Sequence, residues 1–379
     1  MKRKSENPVG RTAPRKTGKP GLPLPAGPFQ GLICAEGWEE ALIGEVARRF
    51  PDRQLFSAKA GVVLVSGNVA PLMKSWVFAR EVLPDAIEVN EPSVKTLVQS
   101  LGKLADGILD RSPLPWTFRV QTPDAWTLDG DVYVEVGGRA GLVAAAFRER
   151  METFRRRAME RYRDWQTLSD RQPFVLVQCL ILARDLAIVS LGETFRNIAG
   201  RLVPAPWPNP GLLVKSDPMA PCRSYYKLEE AWIEAGREPR PGEVCVDLGA
   251  APGGWTWSAL QRGAAVVAVD AADLESKVSD HPRCNHLREN GYAYLPPRKV
   301  DWLLCDMIVK PLATLGLLER WLEGGHCRGF VVNIKFRGKD PSSILASIDE
   351  LRERFGLLNL GIRHLFHDRN EITIFSPPV

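Results

Sequence analysis

The apolar positions change period several times along the chain, and each change marks an expected element. In FQGLICAEGWEEALIGEVARRF a short apolar run gives way to helical spacing. Leu42, Ile43, Val46 and Phe50 fall on one face, predicted to point into a core, while Glu45 and Arg48 are predicted to point away. Glu39 and Glu40 stand in the first turn, where acids suit the positive end of the helix dipole. LFSAKAGVVLVSG reads as a strand pair, completing a small α+β unit over 29–75. A second α+β unit is expected over 76–192, with strand-like runs in TFRVQTPDAW and DVYVEVGGRAG and a long helix over 142–164. Its FVLVQCLILARDLAIVSLG segment reads as a hairpin turning at Ala183–Asp185. The proline-rich LVPAPWPNPG can continue neither a helix nor an inner strand and marks a linker over 193–214.

From 215 to 379 apolar strands alternate with helical patterns. Strands are expected at 243–248, 264–270, 300–305 and 329–335, and helices near 254–262, 311–323 and 341–355. That alternation predicts an α/β fold, a Rossmann-like parallel sheet with helices on both faces. At the end, GLLNLGIRHLFHDRNEITIF gives two strand runs joined by the polar HDRN turn. An antiparallel terminal strand on a parallel sheet is the shape of a class I methyltransferase rather than of a dehydrogenase.

Composition changes this picture only where charge is located. Hydrophobic residues make up 45% and charged residues 25%, ordinary for a soluble globular chain. No run of about 18 apolar residues predicts a membrane span, and no apolar core follows the basic N-terminus as a secretory leader requires. A cytoplasmic protein is expected. The net charge of +5 is concentrated: residues 1–28 carry seven Lys/Arg against Glu6, a net of +6, which leaves −1 over the other 351. This Pro- and Gly-rich tail is expected to be disordered, serving either to hold RNA phosphates or to keep the chain soluble. Arginines gather again at 148, 150, 155, 156, 157, 161 and 163 against only four acids in the same helical stretch. Arg155, Arg156 and Arg157 are the expected RNA contacts, with a plain solvated face as the alternative. The seven cysteines form no C-x-x-C pair, and Cys245 and Cys305 lie inside apolar runs, so reduced, buried thiols are expected. His281, Cys284 and His286 lack the second ligand cluster that zinc requires, so no metal is expected.

The sharpest chemical signal is V-D-L-G-A-A-P-G-G-W-T-W over 246–257, an apolar strand running through glycines into a helix that opens at Gly254–Trp255. In open α/β sheets such a turn, at a strand's carboxyl end, is where a cofactor binds. The glycine spacing, Gly249, Gly253 and Gly254, fails the dinucleotide fingerprint, and Trp255–Thr256 fails the phosphate-loop ending. S-adenosylmethionine has no phosphates and remains. The expected contacts are Gly249, Ala250, Ala251, Pro252, Gly253, Gly254 and Trp255, with Asp270 about 20 residues after the loop placed to accept from ribose hydroxyls. Four further polar residues stand at strand ends or just ahead of the sheet: Lys227 in CRSYYKLEEAW, Asp306 after WLLC, Lys335 closing FVVNI, and Glu371 opening the last strand. Glu229 and Glu230 beside Lys227 read as ordinary surface charges.

DLGAAPGGWT, CDM, NIK and HDRNE resemble the FtsJ-like ribose 2′-O-methyltransferases, and CRSYYKLEEA, CDMIVKP and LFHDRNEITIF are similar to the bacterial large-subunit rRNA cytidine 2′-O-methyltransferase M family. The resemblance is strong over 215–379 and rests mainly on layout over 29–200. It implies a ferredoxin-like unit and a THUMP-like RNA-binding domain ahead of the catalytic domain, and 23S rRNA as the partner. It implies Lys227, Asp306, Lys335 and Glu371 as a catalytic tetrad. Ser224, Ala251–Gly254, Asp270 and Asp306 are implied as cofactor contacts. Two positions depart from the family pattern: Asn290 stands where an acid is usual near the adenine, and Ala251 where cysteine is common. Lys335 is expected either to take the proton of a ribose hydroxyl or to steer its lone pair. The alternatives are a tRNA or other RNA substrate, or a non-catalytic RNA-binding protein on the same fold.

Overall fold

The computed structural model describes residues 27–378, except 60, 124–125, 130–131, 136–137, 169–170, 206–209, 337 and 339. The expectation of a disordered tail falls almost wholly outside the described residues. The first half runs β1 (Phe29–Ile33), α1 (Glu39–Arg49), β2 (Leu55–Lys59), β3 (Val62–Ser66), β4 (Glu81–Asn90), α2 (Val94–Leu109) and β5 (Trp116–Gln121). A small hairpin follows, β6 (Trp126–Asp129) with β7 (Val132–Glu135), then α3 (Gly138–Phe154), α4 (Arg156–Met159), β8 (Val175–Ile181) and β9 (Leu186–Glu193). Seven of these strands form one sheet in the order β2-β3-β1-β4-β9-β8-β5. The ten-residue β4 pairs with β1 through Glu81–Ala86 and with β9 through Ile87–Asn90, so the expected boundary at 75/76 is bridged by continuous strand pairing. Helices α2 and α3 cover the β5–β8–β9 end over Leu97, Leu101, Trp116, Phe147 and Val177.

Two expectations in this half need correction. Glu45 does not face solvent: it is 3% exposed, and its carboxylate accepts the backbone N–H of Val77 (2.8 Å) and Phe78 (3.1 Å). Helical spacing cannot see a loop arriving from about 30 residues away with unpaired donors. The helix predicted for 142–164 instead ends at Phe154, and Arg155 leaves helical geometry at φ −131°, ψ 46°. Tertiary contacts override the local propensity there. The Arg161 guanidinium donates to the carbonyls of Leu109, Ser112 and Leu114, and the Trp116 indole donates to Ala158 O (2.7 Å), pulling the chain onto the end of α2.

The linker contributes a short pair, β10 (Phe195–Arg196) and β11 (Leu202–Val203). The second half then runs α5 (Tyr225–Ala235), β12 (Val244–Leu248), α6 (Gly254–Gln261), β13 (Ala265–Val269), α7 (Ser276–Ser279), β14 (Cys284–Leu287) and β15 (Val300–Cys305). It closes with α8 (Pro311–Glu323), β16 (Cys327–Lys335), α9 (Ser342–Phe355), β17 (Gly361–Arg363) and β18 (Glu371–Ser376). The sheet order is β14-β13-β12-β15-β16-β18-β17, parallel through β16, with β18 antiparallel to both neighbours. Of the parallel strands, β14 alone escapes the hydrophobic pattern, because CNHL is an edge strand with little apolar surface to bury. From β12 the chain builds outward to β13 and β14, then returns to add β15 on the other side. A crevice therefore opens at the carboxyl ends of β12 and β15, the usual ligand position in such sheets.

The two halves are docked. Arg363 donates to the carbonyls of Trp76 and Ala79, His364 N–H donates to Val77 O (2.8 Å), and Arg80 donates to Leu365 O (3.2 Å). Trp38 stacks on Phe78 with centroids 5.5 Å apart and lies 4.3 Å from the His364 ring. Glu45 thus fixes the segment that receives the end of β17.

Candidate active site

Strand β12 ends in Asp247-Leu248, and the loop turns sharply at the next residue because Gly249 adopts φ +75°, a region closed to most side chains. A Cβ at Gly249 would also strike Met307 at 2.5 Å, so the loop lies directly against the start of the loop after β15. Gly254 opens α6 against Ser224 and Cys222, where a Cβ would meet the Ser224 Oγ at 2.5 Å. The loop is tied from both sides: Gly249 N–H donates to Val269 O (2.9 Å), and Ala251 N–H to Asp270 Oδ2 (3.0 Å). The Asp270 Oδ1 takes Ala272 N–H at 2.9 Å, and His286 Nε2 lies 3.1 Å from Asp270 O. Trp255 is buried, with its indole donating to Ser224 O (3.0 Å).

These residues border a cleft of about 730 Å³ at the predicted crevice. Ser224, Gly249, Ala250, Ala251 and Pro252 line one side, with Trp255, Asp270, Asn290, Asp306 and Lys335 around the rest. Gly253 and Gly254 are not on its wall; they pack the loop onto Val278 and Ser224. Asn290 is exposed at the rim, its side chain capping Tyr292 N–H (3.0 Å).

Lys227 and the three strand-end residues Asp306, Lys335 and Glu371 form one chain of charges. Lys335 Nζ lies 3.0 Å from Asp306 Oδ1 and donates to Asp306 O at 2.8 Å. Lys227 Nζ lies 2.6 Å from Glu371 and 3.7 Å from the same Asp306 Oδ1. Register explains the meeting, since Lys335 and Glu371 sit opposite each other on β16 and β18, and α5 delivers Lys227. Burial pulls the Lys227 ammonium down, but Asp306, Glu371 and Asp368 outweigh it and leave its pKa raised, so this lysine stays charged. Two ammoniums and two carboxylates sum to zero, which suits a mostly buried cluster.

Sequence reasoning missed several supports. Asn333 donates to Asp306 Oδ1 (2.9 Å), and its place two residues before Lys335, on the same strand face, was the available signal. Asp247 is buried on the cleft wall, accepting the Thr256 hydroxyl (2.7 Å). Burial, reinforced by Asp306 and Asp270, pushes its carboxyl up to about 7 against the Thr256 hydrogen bond. Glu230 is no surface charge: at 2% exposure it accepts Phe366 N–H, His367 N–H and the His367 ring, clamping the turn before Glu371. Glu229 is likewise held, paired with Arg262. Cys222 also lies outside the core, half-buried on the cleft wall beside Ser224. Among the described residues, no group of three or more His, Cys, Asp or Glu side chains is arranged to hold a metal ion.

Arg155, Arg156 and Arg157 lie on the first half, away from the cleft wall. Arg155 is engaged with Asp106 (3.2 Å) and Asp110, while Arg156 and Arg157 are exposed. Arg148 and Arg161 are spent on structure, the first over the Tyr162 ring and the second on three carbonyls.

Sheet order, glycine loop and cleft define a Rossmann-like α/β domain with the strand order of class I methyltransferases. Within it, residues 220–352 match the model of the FtsJ-like methyltransferase family. The chain is similar to the Ribosomal RNA large subunit methyltransferase M of Laribacter hongkongensis, 40% identical over 182 residues, 45% of this chain and 52% of that protein. The protein of the same name from Azotobacter vinelandii is 40% identical over 192 residues, covering 48% and 54% of the two chains. The matched region spans about half the length of these curated relatives. Among solved structures, TrmN from Thermus thermophilus aligns at TM-score 0.30 with 13% identity over 92% of this chain and 99% of that one. No helix among the described residues is long and apolar enough to cross a membrane.

Proposed function

We propose that this chain transfers a methyl group from S-adenosylmethionine to a ribose 2′-hydroxyl of RNA, with large-subunit rRNA as the substrate. The observation that carries the reading is the Lys227–Glu371–Asp306–Lys335 cluster opening onto a cleft walled by carboxylates. Asp247, Asp270 and Asp306 all line that cleft. Three acids would repel nucleotide phosphates, but they suit a ligand with a positive sulfonium, an ammonium and free ribose hydroxyls. When bound, S-adenosylmethionine supplies a methyl already activated by its sulfonium.

The protein's task is then alignment and the handling of one proton. Lys335 is the tetrad lysine on the cleft wall, and Asp306 grips it through both a carboxylate and a backbone carbonyl, so its amine is aimed rather than mobile. Fixing the hydroxyl in line with the donor can contribute about 7–11 kcal/mol in favourable cases. Accepting the hydroxyl proton and steering its lone pair both need this amine in this place. Lys227, held charged by its carboxylates, anchors Asp306 and Glu371 instead of acting as a base. The strand-rich region over 76–192, with Arg156 and Arg157 exposed, is assigned to holding RNA. The names of the relatives supply the choice of rRNA, and the cytoplasm is the corresponding compartment.

The test is transfer of labelled methyl from S-adenosylmethionine to rRNA lacking its native modification, wild type beside Lys335→Ala. The variant should bind cofactor within about threefold of wild type and lose at least ~100-fold in transfer, the usual scale for a lost acid–base group. Label in tRNA would redirect the substrate; near-normal turnover by Lys335→Ala would overturn the assignment of that lysine.

A further inference from the structure

A second cavity, of about 460 Å³, lies where the first half, the linker and the second half meet. Its wall is formed by the segment before β4, the β10–β11 pair, the carboxyl end of α5 and Arg363 at the end of β17. Seven Lys/Arg residues line it against two carboxylates, Glu81 and Glu234. Both acids are already engaged. Glu81 takes Arg119 at 2.7 Å, and Glu234 takes Arg363 at 2.8 Å while Arg201 stands off at 3.8 Å.

Arg196 is aimed rather than neutralised. It donates to Gly200 O (2.6 Å) and Arg171 O (3.1 Å), bonds that fix a guanidinium without cancelling its charge. Asn197 donates to Met73 O (2.7 Å) and Lys74 O (3.4 Å), tying the same hairpin beside exposed Lys74. Lys74, Arg196 and Arg201 thus come from distant segments to one wall. Holding like charges together costs energy unless an anion joins them. Apolar Leu202, Pro204 and Ile233 complete the wall, a surface suited to a sugar or base. The volume falls within the usual range for a small-molecule site.

We propose that this cavity binds a phosphate group of the RNA, together with part of its nucleotide, and so sets the register of the strand entering the active site. The assignment of RNA rests on the function proposed above. The location favours it, because α5 connects the two places. Lys227 reaches the active site from its first turn, and Glu234 borders the cavity about 10 Å further along the helix axis. Guanidinium forks match phosphate oxygens in pairs, which explains arginine rather than lysine at two of the three positions.

The test uses the full chain with Lys74→Gln, Arg196→Gln and Arg201→Gln combined, and a separate Arg196→Lys. Probes are in vitro transcribed large-subunit rRNA and, separately, inorganic phosphate. The triple variant should bind the rRNA at least about tenfold more weakly at moderate salt. Its affinity should also fall less steeply with salt, by roughly 0.7–0.9 in log–log slope for each phosphate no longer neutralised. The KM for RNA should rise while kcat at saturating RNA and cofactor affinity hold. Arg196→Lys keeps charge but not the fork, guards against a folding defect, and should weaken binding about threefold. Unchanged RNA affinity and slope in both variants would overturn the proposal. So would a phosphate-induced rise in melting temperature that the triple variant loses while its RNA binding is intact, since the cavity would then serve free phosphate. If wild type methylates no RNA, the catalytic reading fails, while the cavity still stands or falls on binding alone.

Discussion

Asp247 shows how far a single side chain can depart from what its neighbours in the chain suggest. In DLGAAPGG it reads as one more polar residue before a loop, yet it is 1% exposed and burial pushes its carboxyl up to about 7. Because 7 lies above the unfolded value of 3.8, the native state binds the extra proton, and stability falls as pH rises between these two values. Asp247→Asn, which mimics the protonated acid, should therefore raise the melting temperature more at pH 8 than at pH 5.5, a difference of roughly 2 kcal/mol. Above about pH 7, where the carboxyl is ionised, the same variant should weaken S-adenosylmethionine binding, since it removes a negative charge from the cleft wall. Equal stabilisation at both pH values would contradict the buried, raised carboxyl; unchanged cofactor affinity would remove it from the binding site. Lys227 is the opposite case: burial alone would lower its pKa, and the nearby acids Asp306, Glu371 and Asp368 outweigh that and raise it.

At the scale of elements, α1 is held by its polar residue as much as by its apolar face. Leu42 and Val46 are buried as their spacing predicts, but Glu45 between them accepts two backbone N–H groups of the 77–78 segment. Glu45→Ala should leave both donors unsatisfied and cost about 2–5 kcal/mol, read as a lowered denaturant midpoint. A change below ~0.5 kcal/mol would mean water replaces the carboxylate without penalty. The α3–α4 break separates the arginine cluster by role. Arg155→Glu places like charges beside Asp106 and Asp110 and should lower stability. Arg156→Glu with Arg157→Glu should leave stability within about 0.5 kcal/mol, as exposed sites do, and weaken RNA binding instead. RNA affinity unaffected by the double reversal would make this short helix a plain solvated surface.

For the whole molecule, the decisive feature is that two sheets are fastened through one edge. Arg363, at the end of β17, reaches two carbonyls of the first half and Glu234 of α5, and is 9% exposed. Arg363→Met keeps much of the stem but drops these bonds, so it should cost about 3 kcal/mol, within the range for breaking a buried pair. It should also let the halves unfold in separate transitions by calorimetry; a single unshifted transition would show the docking rests on apolar packing alone. The alternation of the second half, the glycine loop, the three strand-end polar residues and Lys227 ahead of the sheet could all be read along the chain. Each of these depends on short-range rules: period, turn chemistry, and side-chain placement where a strand stops. Glu45, Glu230, Asn333 and the break at Arg155 take their roles from the assembled fold, because their partners lie elsewhere in the chain and their burial is set by how elements dock. The gathering of Lys74, Arg196 and Arg201 around one cavity is of the same kind. Lys74 stands on one segment and the two arginines on another, far along the chain, and it is Asn197, donating to the carbonyls of Met73 and Lys74, that brings their charges to a common space.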